Sequence, residues 1–401
     1  MVRFALILAL LFSMLPCADG QWVLQQSPTT ADLRGIDNVG NGIAWASGSD
    51  GTILRTTDNG LHWRVCTVPP NAAHLDFRGI QAFDATTAIA MSSGPGDQSR
   101  LYKTTDGCQT WTLIFTNPDK DGFFDALRLP WNHPRRDRSL LLLGDPIQGH
   151  FMLWRVDPFL PASKRVVEVS RMPFSLQNEA AFAASNSSLV AVDQPTMQYF
   201  CIGTGGPLGA SIIRTKYEGE IYSGSPGFEV DRSYTAYGYI YASSTAPVGN
   251  HTATSGVFSI DFAYRPYRHA RSQSLQFGTA GRGAVLHQEV AVGGDYLKPN
   301  DPTRTAAFTT DSGKTWTAST TLPHGFRSAV AYDPTAHTWI TVGPNGTDIS
   351  TDDGRNWRAL LPAPGEASDA DQHWNALSLP YVVGPHGRIG ILNPSALQPQ
   401  P

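Results

Sequence analysis

RTTDNGLHW (Arg55–Trp63), KTTDGCQTW (Lys103–Trp111), FTTDSGKTW (Phe308–Trp316) and ISTDDGRNW (Ile349–Trp357) are four versions of one phrase. All fit Ser/Thr-x-Asp-x-Gly-x-Thr-Trp, the Asp box. Phe308–Trp316 fills every slot, His62 and Asn356 stand in the Thr slot, and Cys108 takes the Gly slot directly after Gly107. The phrase describes a hairpin lock. A short carboxylate (Asp58, Asp106, Asp311, Asp352) accepts backbone N–H groups of the turn, a glycine supplies positive φ, and a tryptophan (Trp63, Trp111, Trp316, Trp357) buries a large ring beside it. A residue repeated in every unit serves the unit, so these aspartates are expected to be scaffold rather than catalytic carboxylates or metal ligands.

The flanks repeat as well. LRGIDNV, GIAWASG, TILRTT and HWRVCTV precede and follow the first box, and FRGIQAF, TAIAMSSG, RLYKTT and TWTLIFT the second. Each series is four short strands with the Asp box as the third turn, which is one blade of a propeller. The boxes are 48 residues apart at the front and 41 near the end, a blade length, whereas 205 residues separate the second box from the third and must hold degenerate blades. Those are read as SLLLLGD with HFMLWRV (Ser139–Val156), then EAAFAAS, SLVAVD, QYFCIGTG and SIIRTK within Glu179–Lys216.

The sequence therefore predicts an all-β, seven-bladed propeller with blades starting near Leu33, Phe77, Ala126, Ala180, Val257, Arg327 and Trp374. The last has three recognisable strands, and Trp22–Gln25 is an orphan strand that would complete it and close the ring. Tyr222–Ser255 fits poorest and has room for an eighth blade.

Composition agrees with many short strands and turns: 38 Gly, 29 Pro and 10% aromatic residues, without a long amphipathic pattern. A net charge of −4 with 16% charged residues gives no footprint for nucleic acid. Arg3, the apolar run Phe4–Leu15 and Ala18-Asp19-Gly20 have the layout of a signal peptide (residues 1–20) cleaved before Gln21, leaving an exported single domain over 21–401. The run is too short to span a bilayer and no second one follows, so no transmembrane segment is expected; Met14-Leu15-Pro16 before Cys17 is a poor lipobox. Cys66, Cys108 and Cys201 remain, allowing one disulfide. Cys66 and Cys108 occupy similar places in successive repeats and are the favoured pair, with free thiols as the alternative.

The blades resemble the photosystem II stability and assembly factor family, exported or lumenal seven-bladed propellers with degenerate Asp boxes. The likeness runs through QWVLQQSPTTADLRGI (Gln21–Ile36), GDP (Gly144–Pro146), GVFSIDF (Gly256–Phe262), VGGDYLKP (Val292–Pro299) and the YDP, VGPNG and DDGRNW phrases of the last third. Departures are Cys108, the absence of Asp boxes in blades three and four, and insertions around Asp157–Arg165 and Tyr222–Ser255. The resemblance implies a binding scaffold with a basic patch for an acidic client segment.

Candidate site residues fall on the propeller face opposite the Asp boxes. Arg34, Arg78, Arg128 and Arg327 recur at the starts of innermost strands, where a ring of guanidiniums would line one mouth of the channel and bind a carboxylate of a protein client. Asp145, Glu179 and Asp295 sit at second-strand ends or crossovers, and Tyr296 beside them. The competing view is that each arginine bonds crossover carbonyls or pairs with Asp145, Asp295 and Glu179, holding neighbouring blades together. A sialidase-like glycoside hydrolase is the enzymatic alternative, with Tyr296 backed by a carboxylate, although an Arg-Ile-Pro element is absent and Arg34 sits in LRGI instead. No metal or cofactor is expected: there is no CxxC, P-loop or HExxH, GTGG at Gly203–Gly206 reads as a hairpin turn, and His150 and His287 stand alone. A monomer is expected. Asn186, Asn250 and Asn345 match glycosylation sequons.

Overall fold

The computed structural model describes residues 21–130, 138–168, 172, 175–194, 197–216, 240–263, 288–362 and 366–397. Residues 1–20, which carry the signal-peptide reading, and His287 lie outside them.

Among the described residues the strands form seven four-stranded antiparallel sheets. Their innermost strands are Leu33–Gly40, Phe77–Ala82, Phe124–Arg128, Leu189–Gln194, Ser255–Ala263, Ala329–Asp333 and Ala376–Ser378. Each packs on the next around the ring, and Leu33–Gly40 also packs on Ala376–Ser378, so the circle is complete. The protein is a seven-bladed β-propeller. Its outermost strand in blade seven is the N-terminal Trp22–Leu24, which pairs with Ile389–Leu392 in the register Trp22↔Leu392, Val23↔Ile391, Leu24↔Gly390. Trp22 anchors that strand. Its ring is 3% exposed, lies 5.9 Å from Trp374, and donates from Nε1 to Thr347 Oγ1 of blade six at 2.9 Å.

Blade four is built differently from the sequence reading. Its innermost strand is Leu189–Gln194, and its outermost is Ile240–Ala246, inside the stretch that fitted poorest. The phrase EAAFAAS contributes one isolated bridge, Ala180↔Gly205. Alternating small and apolar residues there look like a strand, but the chain is crossing from blade three, and Ala181–Ala184 line a cavity instead of joining a sheet.

The four repeated turns share one hydrogen-bond circuit. The hydroxyl of Thr56, Thr104, Thr309 or Ser350 donates to Oδ1 of the following Asp at 2.8–2.9 Å and accepts the N–H at the glycine slot at 3.0–3.1 Å. Oδ2 accepts the side chain of Thr110, Thr315 or Asn356, and in the first turn faces His62 Nδ1 at 2.7 Å. Two successive residues in each turn have positive φ, the second being Gly60 (82°), Gly313 (75°) and Gly354 (78°). A Cβ there would point at the preceding blade: at Ile391 and Tyr381 from Gly60, at Tyr199 and Arg214 from Gly313. Cys108 occupies that slot with φ 67° and has a Cβ pointing the same way, which carries its sulfur to Cys66 of blade one. The tryptophans do the same work with apolar area: Trp63 meets Tyr381 edge to face at 5.9 Å, and Trp111 packs in one cluster with Trp45 and Cys66.

The Cys66–Cys108 disulfide closes a loop 42 residues long. In the chain-entropy account such a loop stabilises by about 4 kcal/mol. The double variant Cys66→Ser/Cys108→Ser is expected to lose stability of that order in denaturant unfolding, and reductant should shift the wild type but not the variant.

Candidate functional site

The first pair of strands in four blades shares a register shift. Leu33 pairs with Gly48 and Gly35 with Ser47; Phe77 with Ser92 and Gly79 with Met91; Phe124 with Gly144 and Ala126 with Leu143; Val257 with Gly293 and Ser259 with Val292. One residue is left over in each strand: Arg34, Arg78, Asp125 and Phe258. A bulge re-aims the extra side chain, and here all four point into one cavity of about 520 Å³ at the channel mouth. Ser328 and Asn375 line the same cavity from blades six and seven.

This register explains which arginines meet. Arg34 and Arg78 do, held by one carboxylate: Asp76 Oδ2 accepts from Arg78 Nε at 2.8 Å, and its Oδ1 lies 3.3 Å from Arg34 Nε. Their terminal nitrogens have looser neighbours, Asp32 at 3.9 Å from Arg34 Nη2 and the Ala183 carbonyl at 3.5 Å from Arg78 Nη1. Arg327 does not join them. Its neighbour Ser328 faces the cavity, and Arg327 falls one place earlier, where the other blades carry core residues. It is fully buried, donates from Nε to Asp348 at 2.8 Å and from Nη1 to Asn345 Oδ1 at 2.6 Å, and its Nη2 also reaches Asp348. Burial alone would push the Asp348 carboxyl up, but the hydrogen bond from His324 and the charge of Arg327 outweigh it and hold it below the usual range. Arg128 stands at the far end of its strand, in a second cavity of about 580 Å³ at the opposite mouth, among Asp37, Gln81, Asp261 and Tyr332. The expected ring of four is a pair.

The acids divide likewise. Asp145 lines the first cavity and accepts the Ala181 N–H at 3.1 Å. Glu179 is a latch, accepting from Leu176 N and Thr204 Oγ1, and Asp295 another, accepting from Thr254 Oγ1 at 2.7 Å and Leu297 N at 3.1 Å. The arginines' partner is Asp76, not Glu179, Asp145 or Asp295. Tyr296 does line the cavity, 47% exposed. Of the sequons, Asn186 is buried, holding Leu127 N at 2.7 Å through Oδ1. His150 faces the Met172 carbonyl.

Sequence reasoning missed the aromatic wall. Phe182 stacks on Phe258 at 3.9 Å, Phe326 meets Phe258 edge to face at 4.7 Å, and Phe123, Tyr296 and Trp374 complete the lining. It also missed Asp125, whose position after Phe124 matches Arg34 after Leu33 and Arg78 after Phe77. Aligning the bulges rather than the arginines would have found it.

With the geometry in hand, comparison places the chain among known propellers. Neither the family models nor the curated proteins searched gave a match. Among solved structures, one described as YCF48 bound to D1 peptide superposes with a TM-score of 0.55 at 14% identity, covering 93% of this chain and 97% of that one. YCF48 from Cyanidioschyzon merolae gives 0.52 at 15%, covering 94% and 99%. The fold is similar to that of YCF48. The likeness covers nearly the whole of both chains, and at 14–15% identity it is a likeness of fold.

Removing Arg327 strands the buried Asp348, so Arg327→Ala is expected to cost about 3–5 kcal/mol, while Arg34→Ala and Arg78→Ala, both half-buried, cost under about 1 kcal/mol each in the same thermal or denaturant unfolding. Burial raises Asp145 and Asp261 to about 6 and Glu289, fully enclosed beside Tyr199 and Cys201, to about 7. Raised carboxyl pKa values favour the folded state below the unfolded values near 4 and lose that advantage as pH climbs through 6 to 7. The melting temperature should fall between pH 5 and pH 8, and Glu289→Gln should raise it by a few degrees at pH 8 while changing little at pH 5.

Proposed function

We propose that this chain is an exported, non-enzymatic assembly scaffold, acting as a monomer, which docks a carboxylate-bearing segment of a client protein at the mouth lined by Arg34 and Arg78. The observation that carries this reading is the convergence of two adjacent bulges that aim guanidiniums into a cavity walled by phenylalanines. Arg78 Nε is bonded by Asp76, Arg34 Nε lies 3.3 Å from the same carboxylate, and the terminal nitrogens, whose neighbours stand 3.5 and 3.9 Å away, are placed to take a carboxylate. The phenylalanines supply apolar area for the residues that precede it. The solved neighbour described as bound to a D1 peptide supports a peptide as the kind of occupant. The signal-peptide layout of residues 1–20 and the Cys66–Cys108 bond, which persists in oxidising compartments, support export. Among the described residues no helix is long and apolar enough to cross a membrane.

The test is fluorescence anisotropy with a panel of labelled peptides carrying a free C-terminal carboxylate, each beside its C-terminal amide. Carboxylate peptides are expected to bind and amides to bind at least about tenfold more weakly. Arg34→Ala/Arg78→Ala should erase the difference with the melting temperature nearly unchanged. Equal binding of acid and amide by the wild type would overturn the reading, and so would a variant that loses binding only because it unfolds.

A further inference from the structure

The bulge of blade three reverses the sign of the mouth. Asp125 stands where Arg34 and Arg78 stand in the two blades before it, 1% exposed, with an Oδ2 that has no hydrogen-bond partner. It lines the cavity together with Asp145, whose Oδ1 accepts the Ala181 N–H at 3.1 Å. Burial drives the Asp125 carboxyl well above the usual range, the neighbouring Asp145 adds to this, and the charge of Arg78 opposes it. An unpartnered buried carboxyl beside a second one costs folding free energy, which a cationic ligand would offset.

We propose that Asp125 and Asp145 form a cation subsite, so that the mouth reads a dipolar peptide end: a terminal carboxylate on Arg34 and Arg78, and a Lys or Arg side chain within a residue or two of it on the aspartate pair. This rests on the reading of the mouth as the client's dock and names the client's chemistry. The ionisable groups lining the cavity are Arg34, Arg78, Asp125, Asp145 and Tyr296, with Asp76 behind the arginines, so positive and negative walls belong to one chamber. The phenylalanines between them suit the aliphatic stem of a lysine as well as its charge. A purely acidic segment would bring its further carboxylates against Asp125 and Asp145, which disfavours it.

Four labelled peptides of one sequence test this, with Lys or Gln as the penultimate residue and a free or amidated C-terminus. The Lys acid is expected to bind about tenfold tighter than the Gln acid. Asp145→Asn, and separately Asp125→Asn, should reduce that ratio to near one while leaving the Gln acid unaffected. Calorimetry of the Lys acid at pH 6.5 in two buffers of different ionisation enthalpy should show protons released on binding, because a cation favours the ionised pair. Equal affinity for Lys and Gln acids overturns the cation subsite and leaves the carboxylate dock standing. Tight binding of the Lys amide overturns the dock and leaves the subsite. Failure of all four peptides overturns both. Melting curves of the Asn variants, in which an unpartnered buried carboxyl gives way to an amide of the same shape, should show no loss of stability.

Discussion

Everything at the mouth depends on the ring being closed, and closure rests on the pairing of Trp22–Leu24 with Ile389–Leu392. A propeller blade buries its two faces against its neighbours, so an open ring would leave two blade faces and two strand edges in water. The pairing gives blade seven its fourth strand, and Trp22 ties that strand both to Trp374 in its own blade and to Thr347 in blade six. Once the circle is fixed, the innermost strands converge on one axis. Side chains separated by more than two hundred residues, such as Arg34 and Phe258, then line the same cavity.

Fold and site were legible in the sequence to different degrees for a physical reason. The turn phrase is a local circuit: hydroxyl, carboxylate and N–H donors lie within seven residues, so its chemistry is written in consecutive letters and survives His62 or Asn356 in one slot. The orphan strand was legible because blade seven lacked a fourth member. Blade four was not, since 23 residues separate its outer strand Ile240–Ala246 from Ala210–Lys216 in the sequence and no Asp box marks the turn between them. The site depended on a one-residue register. Because successive positions in a strand face opposite ways, an arginine one place out of register is not at the mouth at all. Arg327 looks like Arg34 in sequence and is instead the buried cation of an Asp348–His324–Asn345 network. Arg128 lies at the other end of the channel.

The electrostatics change accordingly. Four guanidiniums in a ring would repel one another and need many counter-charges. Two guanidiniums sharing Asp76 keep a net charge of about +1, and the carboxyls of Asp125 and Asp145 opposite them give the chamber two chemically different walls rather than a uniformly positive one. Long-range attraction of acidic partners is therefore weak, in keeping with the net charge of −4. Recognition has to come from short-range geometry inside the cavity, where low dielectric strengthens each contact and penalises each mismatch.

The buried acids follow the same division of labour. Carboxylates of the repeated turns accept two or more hydrogen bonds at the surface, and Asp58 and Asp106 are held down at about 2 by bonds from His62 and Thr110. They are charged scaffold groups across the whole neutral range. Asp37 and Asp261 face the second mouth, and burial pushes both upward against the hydrogen bonds of Ala82 and Tyr332. Those backbone bonds fasten each acid to the next blade around the ring, Asp37 to Ala82 and Asp261 to Tyr332, so there the raised carboxyl is part of the blade seam. Asp125 has no such seam bond on its Oδ2. A fold that joins its blades through Asp37 and Asp261 in one register gains nothing structural from a bare acid at the bulge, and that contrast is the reason to look for Asp125's partner outside the chain.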